Sequence, residues 1–96
     1  MPRYISLISF TEKGIGAIKD WDKRVAAGRE RAEKAGAKLV DVYLTFGDYD
    51  AVVIADYPDD EAALRGALEY GLTGYGRTRT MRAFGEAEAV RVTKSL

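Results

Sequence analysis

Four carboxylates crowd one short stretch of the chain: Asp41, Asp48, Asp50 and Asp56 all lie in or beside the segment KLVDVYLTFGDYDAVVIADY. Two acids that share a site screened from water do not both ionise readily, so one can keep its proton and act as a general acid. Asp48 and Asp50 have a competing use, because aspartates beside a glycine accept backbone N–H groups and fix turns. The spacing does not resemble an EF-hand loop, which ranks an oxygen-ligated cation low. Arg77, Arg79 and Arg82 are a second constellation. Their guanidinium forks suit an anionic substrate, or they neutralise the carboxylates of the hairpin or of a second subunit. Six tyrosines, at positions 4, 43, 49, 57, 70 and 75, offer either an aromatic pocket lining or ordinary core-edge packing with the hydroxyl in water.

What is missing restricts the chemistry further. The 96 residues include no histidine and no cysteine, which removes imidazole bases, thiolate nucleophiles, disulfides and the ligand sets of zinc and haem sites. The expectation is a protein with no metal and no cofactor, in a reducing compartment, hence cytoplasmic. Fifteen basic residues balance fifteen acidic ones, so there is no overall pull towards nucleic acid or an anionic membrane. No apolar run approaches membrane-spanning length, and the N-terminus does not resemble a signal peptide. Gly71, Gly74 and Gly76 are not a phosphate loop, since they follow a helical pattern and precede a strand-like one, the reverse of the order that phosphate binding requires.

The elements that must position these residues follow from pattern. Residues 39–46 and 51–57 are rich in β-branched and aromatic side chains and flank Gly47, so they form a β-hairpin. A two-residue turn at Gly47-Asp48 or Asp48-Tyr49 puts Val42, Leu44 and Phe46 on one face with Ala51, Val53 and Ala55. Asp41, Tyr43, Thr45, Asp50, Val52, Ile54 and Asp56 then take the other face. A three-residue loop would change the pairing. Residues 4–10 form a first strand. Thr11 opens an interrupted helix, and Asp20 a second start from which Val25, Gly28, Ala32 and Ala35 make an inward stripe. On this reading Gly28 packs closely on the sheet, and Lys23, Arg24, Arg29, Arg31 and Lys34 are a solvated face. Gly36 ends that helix. Pro58-Asp59-Asp60-Glu61 opens another, with Ala63, Leu64, Ala67, Leu68 and Gly71 inward. Residues 77–84 alternate as a fourth strand, and residues 86–94 form a short terminal helix.

The order β-α-β-β-α-β over one domain, residues 1–96, is that of a ferredoxin-like split β-α-β sandwich, an α+β fold with both helices on one sheet face. Val52 and Ile54, with Tyr4, Ile8 and Phe10 as further candidates, lie on the uncovered face, and a second copy is the expected cover.

Gly47, Tyr49 and Asp50, the Tyr4 to Gly14 segment, Lys23-Arg24, Val42 to Thr45, Pro58 to Ala62, and Arg77-Thr78 with Arg82 to Phe84 together resemble the GYD-domain family over nearly the whole chain. The resemblance implies a ferredoxin-like fold that pairs as a dimeric α/β barrel, and it transfers no reaction. Two functions are carried forward. One is a homodimeric module that binds a small hydrophobic molecule or a partner without catalysis. The other is a cofactor-independent monooxygenase or isomerase acting on a hydrophobic aromatic compound, with Asp50 or a tyrosine moving a proton. The candidate pocket residues are Tyr43, Thr45, Tyr49, Asp50 and Arg82.

Overall fold

The computed structural model describes residues 1–96. The first apolar run is strand β1 (Arg3–Phe10). Thr11 caps helix α1 (Glu12–Gly16), its hydroxyl accepting the Gly14 N–H. Residues 18–20 make a single 3-10 turn before helix α2 (Trp21–Lys34). The interruption expected from the sequence is therefore present, although Asp20 gives no side-chain cap. Gly14 is the tight point of this segment. A Cβ built there would lie 2.0 Å from the Tyr75 carbonyl oxygen, so no larger residue fits.

The hairpin is β2 (Lys38–Leu44) and β3 (Ala51–Asp56). Helix α3 (Asp60–Leu72) starts at Asp59, whose carboxylate accepts the Ala62 N–H at 2.9 Å, so Pro58 stands outside the helix rather than in its first turn. Strand β4 (Gly76–Ala83) and helix α4 (Glu86–Lys94) complete the chain. The sheet order is β2-β3-β1-β4 and every neighbouring pair is antiparallel, which is the ferredoxin-like arrangement. Helix α2 packs on β2 and α3 on β4, and the backbones of the two helices stay apart.

Register decides which side chains share a face, because directly paired residues of antiparallel strands project the same way. Tyr4, Ser6 and Ile8 pair with Ala55, Val53 and Ala51 on one side, and with Arg82, Thr80 and Thr78 on the other. All of these face the helices. Val42 and Leu44 join them opposite Val53 and Ala51, as the expected facing requires. Tyr4, Ile8 and Phe10 are thus on the covered face, a correction to the sequence expectation. Ile5 and Leu7, opposite Ile54 and Val52, take the open face instead.

The hairpin connection is longer than a two-residue turn. Leu44 pairs with Ala51, residues 45–50 form the loop, and Phe46 is almost fully exposed rather than part of the apolar face. Gly47 has φ +116°, a conformation that only glycine adopts without strain. In α3 the leucines are also misplaced by the sequence pattern. Leu64 and Leu68 are more than half exposed, and the inward positions are Ala63, Gly66, Ala67 and Tyr70.

Candidate functional site

The hairpin loop holds most of the sequence-derived candidates, and its hydrogen bonds are largely internal. The Thr45 N–H donates to the Asp50 carbonyl at 2.8 Å, and the Thr45 hydroxyl donates to the Tyr49 carbonyl at 2.7 Å. Asp50 then ties the loop to β1: its N–H donates to the Ile8 carbonyl at 2.8 Å, and its carboxylate accepts the Phe10 N–H at 2.7 Å. The carboxylate stands in for a ladder carbonyl one residue before the start of β3. Tyr49 is half-buried in the same loop, and Tyr43 is about half exposed on the open face.

Arg82 is elsewhere. It lies on the helix-covered face opposite Tyr4, about 13 Å along β1 from Ile8 at the usual strand rise. Its guanidinium stacks 4.3 Å from the Phe84 ring centre and meets Glu88 at 3.7 Å. The structure therefore groups Thr45, Tyr49 and Asp50, leaves Tyr43 on the open face, and separates Arg82 from all four.

A different site lies between the helices. Because α2 and α3 stay apart, they leave a cavity of about 130 Å³ over the central strands. Its floor is Ser6, Ile8 and Val53, and its walls are Val25 and Gly28 of α2 with Ala63 and Gly66 of α3. Gly28 does not pack closely on the sheet as its place in the stripe suggests. The nearest atom to a Cβ placed there is an Arg31 nitrogen at 3.8 Å. Tyr57 closes part of the wall, and burial together with the nearby Glu69 carboxylate pushes its phenol pKa up. At its floor the Ser6 and Thr80 hydroxyls pair at 2.8 Å.

Arg24 stands at one end of this cavity. Its guanidinium carbon lies 4.4 Å from the Tyr75 ring centre, 4.9 Å from that of Phe10 and 5.2 Å from that of Trp21. Nη1 donates to the Gly14 carbonyl at 2.7 Å and Nη2 reaches the Tyr70 hydroxyl at 3.4 Å, whereas the buried Nε has no partner. Counted from its charge, Arg24 belongs to the solvated face of the helix. It is held among aromatic rings instead, and the available signal was its position beside Val25 and three residues after Trp21, on the border of the apolar stripe.

The model of the GYD domain matches residues 4–92. The chain belongs to the GYD-domain family. In this GYD domain the Gly47, Tyr49 and Asp50 motif is thus the loop that fastens the hairpin to β1. Among solved structures, MtbAldR is similar with a TM-score of 0.69 and 15% identity, over 88% of this chain and 52% of that one, so the GYD domain spans about half of its length and the likeness is one of fold. TTHA0845 from Thermus thermophilus is similar with a TM-score of 0.51 and 27% identity, over 88% of this chain and 95% of that one. No curated protein matches this chain in sequence. No helix is long and apolar enough to cross a membrane.

Proposed function

We propose that this GYD-domain protein is a homodimeric, non-catalytic module that binds a small apolar molecule between α2 and α3. The observation that carries it is the cavity over Ile8 and Val53, whose volume is close to that of a dry protein cavity known to take up benzene, roughly 150 Å³. Its lining is mainly apolar, with a few hydroxyls and the charged side chains of Arg24, Arg31, Arg65 and Glu69; an apolar lining with a small number of polar groups is the usual make-up of a small-molecule site. The catalytic alternative asks Asp50 or a tyrosine to move a proton, and the Asp50 carboxylate is already engaged by the Phe10 N–H.

Surface area supports the second copy. The accessible surface of 6623 Å² exceeds by about 1,100 Å² the value expected for a compact chain of this mass, about 5,500 Å². Only nine residues are buried, too few for a self-sufficient core. A standard interface removes about 800 Å² from each partner. The open sheet face offers Ile5, Leu7, Val52 and Ile54 at its centre, with Asp41 towards the β2 edge and Arg79 towards the β4 edge. A two-fold axis parallel to the strands lays each β2 edge over the partner's β4 edge, which sets acid against base.

Two measurements test the module. Light scattering at micromolar concentration should give a dimer that Asp41→Arg weakens and Asp41→Arg with Arg79→Asp restores. A wild-type monomer would remove the dimer. Trp21, the sole tryptophan, lines the cavity, so its fluorescence should change saturably with phenylacetamide. A flat response would remove the binding site.

A further inference from the structure

Arg24, Arg31 and Tyr70 line two adjoining spaces at once. One is the apolar cavity. The other is an open pocket of about 410 Å³ at its end, lined also by Lys23, Thr73 and Tyr75. Three cations there face a single carboxylate, Asp20. None of the three takes part in a salt bridge within the chain; the four present are Arg3 to Asp56, Lys34 to Glu30, Arg65 to Glu61 and Arg82 to Glu88.

Arg24 is the group that joins the two spaces. A guanidinium carries five N–H donors, and here a single short bond, to Gly14, is accompanied by one long contact and one buried donor with no acceptor. An unsatisfied buried donor costs roughly 1–3 kcal/mol, and a charged one more; Nη1 and Nη2, with one contact each, keep further N–H donors for an acceptor in the open pocket that Arg24 lines. The rings of Phe10, Trp21 and Tyr75 hold the guanidinium in position, which reduces the ordering needed on binding.

We propose that the ligand is a small carboxylic acid bound as its anion, with the apolar body in the interhelical cavity and the carboxylate in the adjoining pocket, hydrogen-bonded by Arg24 and Arg31. This rests on the ligand-binding function proposed above and adds the chemical class. Planar bidentate recognition favours arginine over lysine for a carboxylate. The phenol of Tyr70 is placed to donate to the same anion, since it already lies near Arg24 Nη2.

The test compares phenylacetate with phenylacetamide, which share an apolar body and differ in charge, by titration of Trp21 fluorescence on the full chain. Phenylacetate should bind at least ten-fold more tightly. Arg24→Gln and Arg31→Gln should each bring its affinity towards that of the amide, and Arg24→Lys should fall between them and the wild type. Equal affinity of acid and amide overturns the carboxylate assignment and leaves the apolar site standing. Tighter acid binding that survives both substitutions to glutamine places the anion elsewhere and also overturns it. Silence of both probes removes the binding site itself. Circular dichroism identifies a misfolded Arg24→Gln, in which case Arg31→Gln and the acid-to-amide ratio decide.

Discussion

The carboxylate of Asp50 accepts the backbone N–H of Phe10 at 2.7 Å, joining residues forty positions apart. The motif acid is therefore a structural clasp between the hairpin loop and the end of β1. Asp50→Asn keeps one acceptor oxygen and should lower stability by about 1 kcal/mol, and Asp50→Ala, which leaves the N–H unpaired, by about 2–3 kcal/mol. Neither should alter phenylacetate affinity by more than two-fold. Urea unfolding measures the first effect and fluorescence titration the second. A large loss of affinity in a stable Asp50→Asn would return the site to the hairpin.

Glycines on neighbouring elements should respond in opposite ways. Gly14→Ala forces a Cβ against the Tyr75 carbonyl and should cost more than about 2 kcal/mol, at the upper end of overpacking. Gly28→Ala meets no obstruction and gains up to about 1 kcal/mol of helix propensity, while narrowing the cavity and weakening phenylacetamide binding. Melting temperatures of the two variants check the contrast.

Stability should fall at both ends of the pH scale for identifiable reasons. The Tyr4 hydroxyl donates to Asp60 and is buried, and both effects push its pKa up; Tyr57 is raised by its burial. The folded state then holds these protons more firmly than the unfolded chain. Their contribution is intact below the ordinary tyrosine value of about 10 and is lost as pH rises through the folded values. Tyrosinate absorbance should show two of the six phenols titrating late. Asp56 behaves in the opposite sense: hydrogen bonding to Arg3 holds its carboxyl below the usual range. That contribution is present above about pH 4 and disappears as pH falls through the lowered value. Asp56→Asn should flatten the acid limb of the stability curve and leave the alkaline limb unchanged.

Much of this was legible before any coordinates. Val42 and Leu44 face Ala51 and Val53 because strand side chains alternate, and lengthening the turn to residues 45–50 preserves that parity. Thr11 and Asp59 mark helix starts through short-range bonds that sequence alone specifies. The site was less legible because its residues depend on contacts distant in the chain. Arg24 is drawn inward by rings from β1 and from the segment before β4, and local charge pattern cannot register their approach. Leu64 and Leu68 mislead in the same way: a periodic stripe locates a helix face but not its rotation on the sheet. Here the smaller Ala63, Gly66 and Ala67 point inward, which is what keeps the cavity open.

The separation of α2 from α3 has a mechanical consequence. Each helix is seated on a different edge strand, α2 on β2 and α3 on β4, so the domain resembles a stiff plate carrying two flaps on separate hinges. The Arg24 to Tyr70 contact is the one hydrogen bond between them, so each flap can open at a free-energy cost below that of global unfolding. A molecule lodged between them would act as a keystone, making the two flaps move as one. Amide hydrogen exchange in α2 and α3 should then slow together on ligand addition, while that in the central strands β1 and β3 changes little.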